Sequence, residues 1–233
     1  MKLLLISNST NAGEEYLRYP MPEIGRFLAG IHEIAFVPYA AVTFSYAEYE
    51  RKVQARFSEL GIRVRSVHRA KDPAAMIRTA EAVCVGGGNT FALARRMQQQ
   101  GLMSAILRRI RAGVPYVGWS AGSNVACPTI STTNDMPIVQ PESFRAIGAV
   151  KFQINPHYLD ANPAGHAGET REQRILEYIE ANPRRWVVGL REGCMLRLTD
   201  QKLELIGNRP MRLFRKGVET FEVAPGDDLS FLL

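Results

Sequence analysis

Short apolar runs recur from Leu3 to Trp119, and segments of helical spacing separate them. Leu3–Ile6 reads as a buried strand that stops at the polar run Ser7-Asn8-Ser9-Thr10. Ile34–Val37 is a second strand, halted by Pro38, and Val64–Val67 a third. Ala82–Val85 is a fourth, cut off by Gly86-Gly87-Gly88, and Tyr116–Trp119 a fifth, entered through Gly113-Val114-Pro115. Within residues 44–60, Tyr46, Tyr49, Val53, Phe57 and Leu60 share one helical face, and Gly61 follows the end. Asp72-Pro73 opens a short helix with proline at its first position. Thr90–Gln100 predicts a helix closed by Gly101, and Ser104–Ala112 another. This alternation predicts an α/β fold, a mostly parallel sheet with helices on both faces.

Beyond a helical segment at Glu169–Glu180 the texture changes. Trp186–Leu190, Met195–Thr199, Leu203–Ile206, Met211–Phe214 and Glu219–Val223 are short β runs broken by Gly, Asn and Asp. They are expected to form C-terminal β hairpins on the sheet edge. No linker, repeat or low-complexity stretch intervenes, so residues 1–233 are expected to form a single domain.

Composition narrows the function classes. The 233 residues are 46% hydrophobic and 22% charged, which excludes a disordered chain. The net charge of +6 is dispersed, with Arg95-Arg96, Arg108-Arg109 and Arg184-Arg185 in separate segments, so no nucleic-acid partner is expected. Cys84, Cys127 and Cys194 are an odd, scattered set without CxxC. They predict buried thiols in a reducing compartment and no disulfide framework or zinc site. The N-terminal apolar run is four residues long, too short for a signal-peptide core or a membrane span. A cytoplasmic protein with no membrane partner is expected.

Gly118-Trp119-Ser120-Ala121-Gly122 follows a predicted strand and precedes a small-residue stretch able to start a helix. That is the context of a nucleophile elbow, where small neighbours leave room for a strained turn and the serine oxygen projects above the strand's carboxyl end. The plain alternative is a tight turn in which Ser120 caps the helix. A nucleophilic serine needs a base. Of four histidines, His32 and His68 flank strands, and His166 lies among Gly165, Ala167 and Gly168. His157 ends the β run Gln153-Ile154-Asn155-Pro156-His157 at an expected proline-fixed turn. A strand end beside the elbow would bring its ring to the rim where α/β sites lie. The acid that orients the ring has two candidates, Glu192 at a strand end and Asp135 in the loop Thr132–Pro137, and the residues themselves leave both open.

Six segments, Leu4–Thr10, Val85–Phe91, Gly118–Ile130, Thr132–Val139, Gln153–His157 and Gly168–Arg174, run in order through nearly the whole chain. With them the sequence resembles the peptidase E family of aspartyl dipeptidases, serine peptidases with a class I glutamine-amidotransferase-like fold. The resemblance implies Ser120 as nucleophile and His157 as base. It implies Glu192 or Asp135 as the third member, favouring Glu192 because a strand-end acid after the histidine parallels the amidotransferase triad. It implies a small peptide substrate with an N-terminal aspartate, cleaved after that residue. The sequence holds no recognisable metal-ligand cluster, so no metal or cofactor is expected. Serine at position 120, where glutamine amidotransferases carry cysteine, argues against ammonia chemistry.

Physical chemistry adds roles. Gly86-Gly87-Gly88-Asn89 ends the strand next to the elbow strand. The N–H of Gly88 or Asn89, with that of Ala121, would form an oxyanion hole. A phosphate cradle is the rival reading of the glycines, but no G-x-x-x-x-G-K-[ST] pattern is present. Arg171 is the candidate reader of the substrate carboxylate, and Glu169 or Asp135 of its ammonium. Arg171 could instead be a surface arginine. A cyanophycinase-like hydrolase, an esterase or an inactive amidotransferase-like binding module are the competing functions.

Overall fold

The computed structural model describes the chain except residues 163, 164 and 166, so His166 lies outside the described residues. Five parallel strands form the centre: β1 (Lys2–Ile6), β2 (Glu33–Val37), β3 (Arg63–Ser66), β4 (Val83–Val85) and β5 (Tyr116–Trp119), in the order β3-β2-β4-β5-β1. Five helices cross between them: α1 (Met21–Phe27), α2 (Tyr46–Ser58), α3 (Pro73–Thr79), α4 (Thr90–Gln99) and α5 (Leu102–Arg111). A strand covered on both faces must be apolar at every position, hence the unbroken runs in the sequence. Alternation then assigns the faces. Leu3, Leu5, Val83 and Val85 pack with Leu93, Met97, Ile106 and Ile110 of α4 and α5. Leu4, Ile6, Phe36 and Trp119 pack with Ile24 of α1 and Tyr49, Val53 and Phe57 of α2. Local signals set the helix ends: Ser45 and Glu48 form a capping box at α2, and Asp72 accepts from the Ala75 N–H at α3. Helix α1 has no counterpart in the apolar pattern, because Pro20 and Pro22 read as breakers although Pro22 sits in its first turn.

After β5 come the single turn α6 (Ala121–Asn124), then β6 (Gln153–Tyr158), α7 (Arg171–Ala181), β7 (Val187–Arg191), β8 (Met195–Thr199), β9 (Lys202–Ile206), β10 (Met211–Arg215) and β11 (Val218–Val223). The β8–β9 hairpin joins the large sheet beside β1, as expected of an edge hairpin. The other C-terminal strands leave that edge. They build a second sheet, β11-β10-β7-β6, in which β6 and β7 run parallel with α7 between them in sequence. Pairing across a helix is nonlocal, so neighbouring hairpin signals do not reveal it. The strand pattern also mislocates the end of β6. Instead of turning at Pro156, the strand carries on to Tyr158 through a register shift that leaves His157 as the extra residue. The three cysteines are buried and unpaired.

Candidate active site

At the carboxyl end of β5 the chain turns on Ser120, held at φ +54°. A non-glycine residue in this region stores about 1–3 kcal/mol of strain, which the surroundings must enforce. Its N–H donates to the Ile6 carbonyl at 3.0 Å, and its carbonyl starts α6 by accepting from Ser123 and Asn124. The flanking glycines answer to space. A Cβ on Gly118 would lie 2.4 Å from the Gly122 oxygen, and one on Gly122 2.1 Å from the Val85 oxygen. The Ser120 hydroxyl makes no helix cap. It lies 2.8 Å from His157 Nε2.

His157 reaches Ser120 because of the extra residue in β6. Pro156 has no N–H for the ladder, and His157 follows at φ +53°, turning its ring out of the sheet. The His157 N–H, freed from the ladder, donates to Ser7 Oγ at 3.0 Å, and the Ser7 hydroxyl donates to the Leu190 carbonyl at 2.7 Å. One buried hydroxyl at the end of β1 thereby ties the His157 strand to the strand preceding Glu192. His157 Nδ1 stands 2.9 Å from Glu192 Oε1. Asn8 fixes the turn beyond, its Oδ1 accepting from the Gly193 N–H at 2.9 Å and from the Tyr19 hydroxyl at 2.7 Å. The sequence marks Ser7 and Asn8 only as polar residues that end a strand. Their signal is two small polar side chains placed directly after a buried strand.

Arg191 braces the same corner. Its guanidinium bonds both oxygens of Asp160, just past the His157 strand, both oxygens of Glu222 on β11, and the Pro210 carbonyl. These hydrogen bonds hold the Asp160 and Glu222 carboxyls below their ordinary pKa values.

Asp135 stands apart from the histidine. Its Oδ2 accepts from the Thr90 N–H at 2.7 Å and from the Thr133 hydroxyl at 3.1 Å, capping α4. The structure therefore brings together Ser120, His157 and Glu192, and excludes Asp135 from that chain of contacts. His68 bonds Ser66 beyond β3, three strands from β5, and His32 is exposed before β2.

The backbone donors are partly as expected. The N–H groups of Ala121 and Gly88 have no acceptor among the described residues. Asn89 is a correction: its N–H donates to the Ala40 carbonyl at 2.9 Å, and its side chain caps α4, so it offers no free backbone donor. Gly88 has φ +133°, and a Cβ there would meet the Ala40 oxygen at 2.3 Å, so only glycine fits.

Arg171 opens α7 behind the Thr170–Gln173 capping box, two residues later than the apolar pattern suggests. It is half-buried, without a hydrogen-bond or ion-pair partner among the described residues. Burial and the neighbouring Arg174 push its pKa down, while Asp135 pulls it up. Glu169 is exposed and sits 3.6 Å from Arg174.

A mixed α/β fold with a serine, a histidine and a carboxylate in line at the strand ends defines a class of hydrolytic enzymes. The model of peptidase family S51 matches residues 3–206, and the chain belongs to that family. It is 50% identical to a peptidase E from Nostoc sp., over 100% of this chain and 96% of the relative. It is 47% identical to a peptidase E from Streptomyces coelicolor, over 100% and 95%. A crystal structure of a peptidase E-type protein from Listeria monocytogenes superposes with a TM-score of 0.68 at 20% identity, covering 88% of this chain and 98% of that one, and shares its fold. The protein is a peptidase. No helix among the described residues is long and apolar enough to cross a membrane.

Proposed function

We propose that the protein is a serine exopeptidase that cleaves short peptides after an N-terminal aspartate, with Ser120, His157 and Glu192 as its triad. The observation that carries this reading is the unbroken line Ser120 Oγ, His157 Nε2, His157 Nδ1, Glu192 Oε1, at 2.8 and 2.9 Å. With Nδ1–H donating to Glu192, Nε2 is left to accept the Ser120 proton. Oγ then attacks the scissile carbonyl carbon, the proton passes to Nε2, and the Gly88 and Ala121 N–H groups receive the negative charge on the carbonyl oxygen. Collapse breaks the C–N bond, and the leaving amine takes the proton from Nε2. A water adds to the ester, gives a proton to Nε2, and the serine leaves with it. Each atom and proton is returned.

Arg171 supplies the specificity in this reading. A half-buried guanidinium lacking a hydrogen-bond or ion-pair partner among the described residues favours a planar anion, and a carboxylate fits its fork. Of the two acids expected to hold the substrate ammonium, this reading favours Asp135, which is close enough to act on Arg171, over exposed Glu169, which sits beside Arg174. The buried free thiols accord with a reducing, cytoplasmic setting. The test is hydrolysis of Asp-Leu beside Asn-Leu, Glu-Leu and acetyl-Asp-Leu, with Ser120→Ala and Arg171→Met. Asp-Leu alone should turn over well, Ser120→Ala should abolish it, and Arg171→Met should narrow the Asp-over-Asn preference. An unchanged preference in Arg171→Met places the carboxylate elsewhere, and full activity of Ser120→Ala removes the serine mechanism.

A further inference from the structure

Beneath the elbow, two polar aromatic groups converge on the buried hydroxyl of a third. Tyr49, on α2, is almost wholly buried, and its hydroxyl donates to the Gly87 carbonyl at 2.9 Å. The Trp119 indole N–H donates to the Tyr49 oxygen at 3.1 Å, and the Tyr16 hydroxyl donates to it at 3.4 Å. Burial pushes the Tyr49 hydroxyl up to about 12, so it keeps its proton as a donor. The partner it holds belongs to the Gly87–Gly88 peptide. That peptide is trans, so its N–H points opposite to its carbonyl. With the carbonyl drawn to Tyr49, the Gly88 N–H faces away from α2. Gly87 is wedged against the nucleophile, since a Cβ there would meet Ser120 Cβ at 2.9 Å.

We propose that Tyr49 is the positioning residue of the oxyanion hole: by holding the Gly87 carbonyl it keeps the Gly88 N–H turned toward the Ser120 side. The proposal rests on the serine-peptidase reading above. A peptide flanked by two glycines rotates as a plane at little steric cost, so it needs a fixed partner to hold one orientation. Among the described residues, Tyr49 is the side chain bonded to the Gly87 carbonyl. Trp119 aims the Tyr49 oxygen from the residue before Ser120, so the elbow and its oxyanion donor are set by one network.

The experiment is Tyr49→Phe, which removes one oxygen and keeps the ring against Phe36, whose centroid is 5.0 Å away. Complete loss of an oxyanion donor costs about 10²–10³-fold in kcat, and a peptide that samples both orientations loses part of that. The expected result is a kcat about 10–100-fold lower with KM within about threefold. The rate at which a fluorophosphonate labels Ser120 should fall by a similar factor, independent of peptide specificity. Tyr39→Phe is the control, since it deletes a buried hydroxyl bonded to Gln100 and should lower Tm without changing kcat. Trp119→Phe leaves the Tyr49 hydroxyl but removes the group that aims it, and a smaller loss confined to kcat is expected. Unchanged kcat and labelling in folded Tyr49→Phe overturn the proposal, and so do unchanged values in Trp119→Phe where Tyr49→Phe does not fold. If Ser120→Ala is inactive while Tyr49→Phe is normal, this inference alone fails. If Ser120→Ala is active, the serine reading fails first.

Discussion

Glu192→Gln removes a charge and keeps the shape, so it isolates what the carboxylate does for His157. The two groups meet at 2.9 Å, with side-chain exposures of 45% for Glu192 and 37% for His157. Charge centres about 4 Å apart interact by about 1 kcal/mol in water and about 4 kcal/mol at an effective dielectric near 20. This pair is half in water, so about 1–3 kcal/mol applies, or about 10–100-fold in kcat. An open flank also lets the glutamine amide turn its oxygen to Nδ1–H, which keeps the tautomer. A triad with a buried acid loses about 10⁴-fold on the equivalent change, because the tautomer is lost as well. The assay is steady-state release of leucine from Asp-Leu by Glu192→Gln and Asp135→Asn, with Tm measured alongside. Glu192→Gln should lose kcat at nearly constant KM. Asp135→Asn should act mainly on KM, because Asp135 caps α4 and stands near Arg171. A larger kcat loss in Asp135→Asn, at unchanged KM, would reverse the assignment. A loss near 10⁴-fold in Glu192→Gln would refute the argument from exposure.

Three further outcomes follow from the scaffold. Ser7→Ala should lower stability by about 2–4 kcal/mol, since it strands the His157 N–H and the Leu190 carbonyl in a buried place, and denaturant titration with kcat on the same sample checks this. Asp160 and Glu222 have depressed pKa values, so the stability they contribute is present above their ordinary values of 3.8 and 4.5 and is lost as pH falls through the folded values. Melting curves of wild type and Asp160→Asn should therefore differ at neutral pH and converge in acid; a constant gap would refute the pairing. Gly122→Ala should fail to give active protein, since the Val85 backbone cannot yield to a Cβ at 2.1 Å, and a normally active variant would contradict the packing of the elbow.

The parallel core was legible because its strands are buried on both faces and carry continuous apolar runs, as in Leu3–Ile6 and Ala82–Val85. The elbow was legible because sterics there demand small residues at fixed positions. His157 was legible as a polar residue beside a proline, but not its geometry: proline reads as the end of a strand, yet β6 runs past Pro156, and the extra residue is what turns the ring outward. Glu192 and Asp135 could not be separated by residue type, since the decision lies in which strand the second sheet places beside His157. Asn89 misled because an N-cap and an oxyanion donor share the same glycine-rich context. Tyr49 was visible only as one more apolar position on a helical face, and nothing local marks the carbonyl its hydroxyl holds.

Ser120 rides on the large sheet, while His157 and Glu192 both ride on the small one. The Ser120–His157 contact thus forms only where two separately hydrogen-bonded layers are seated in register, with Ser7 acting as the dowel between them. A slip of about an ångström between the layers would part the Ser120 hydroxyl from the His157 ring while leaving every strand intact. Under rising denaturant, peptide hydrolysis should therefore vanish before far-ultraviolet circular dichroism changes. Such a molecule can be silenced by anything that wedges the seam, without touching the serine.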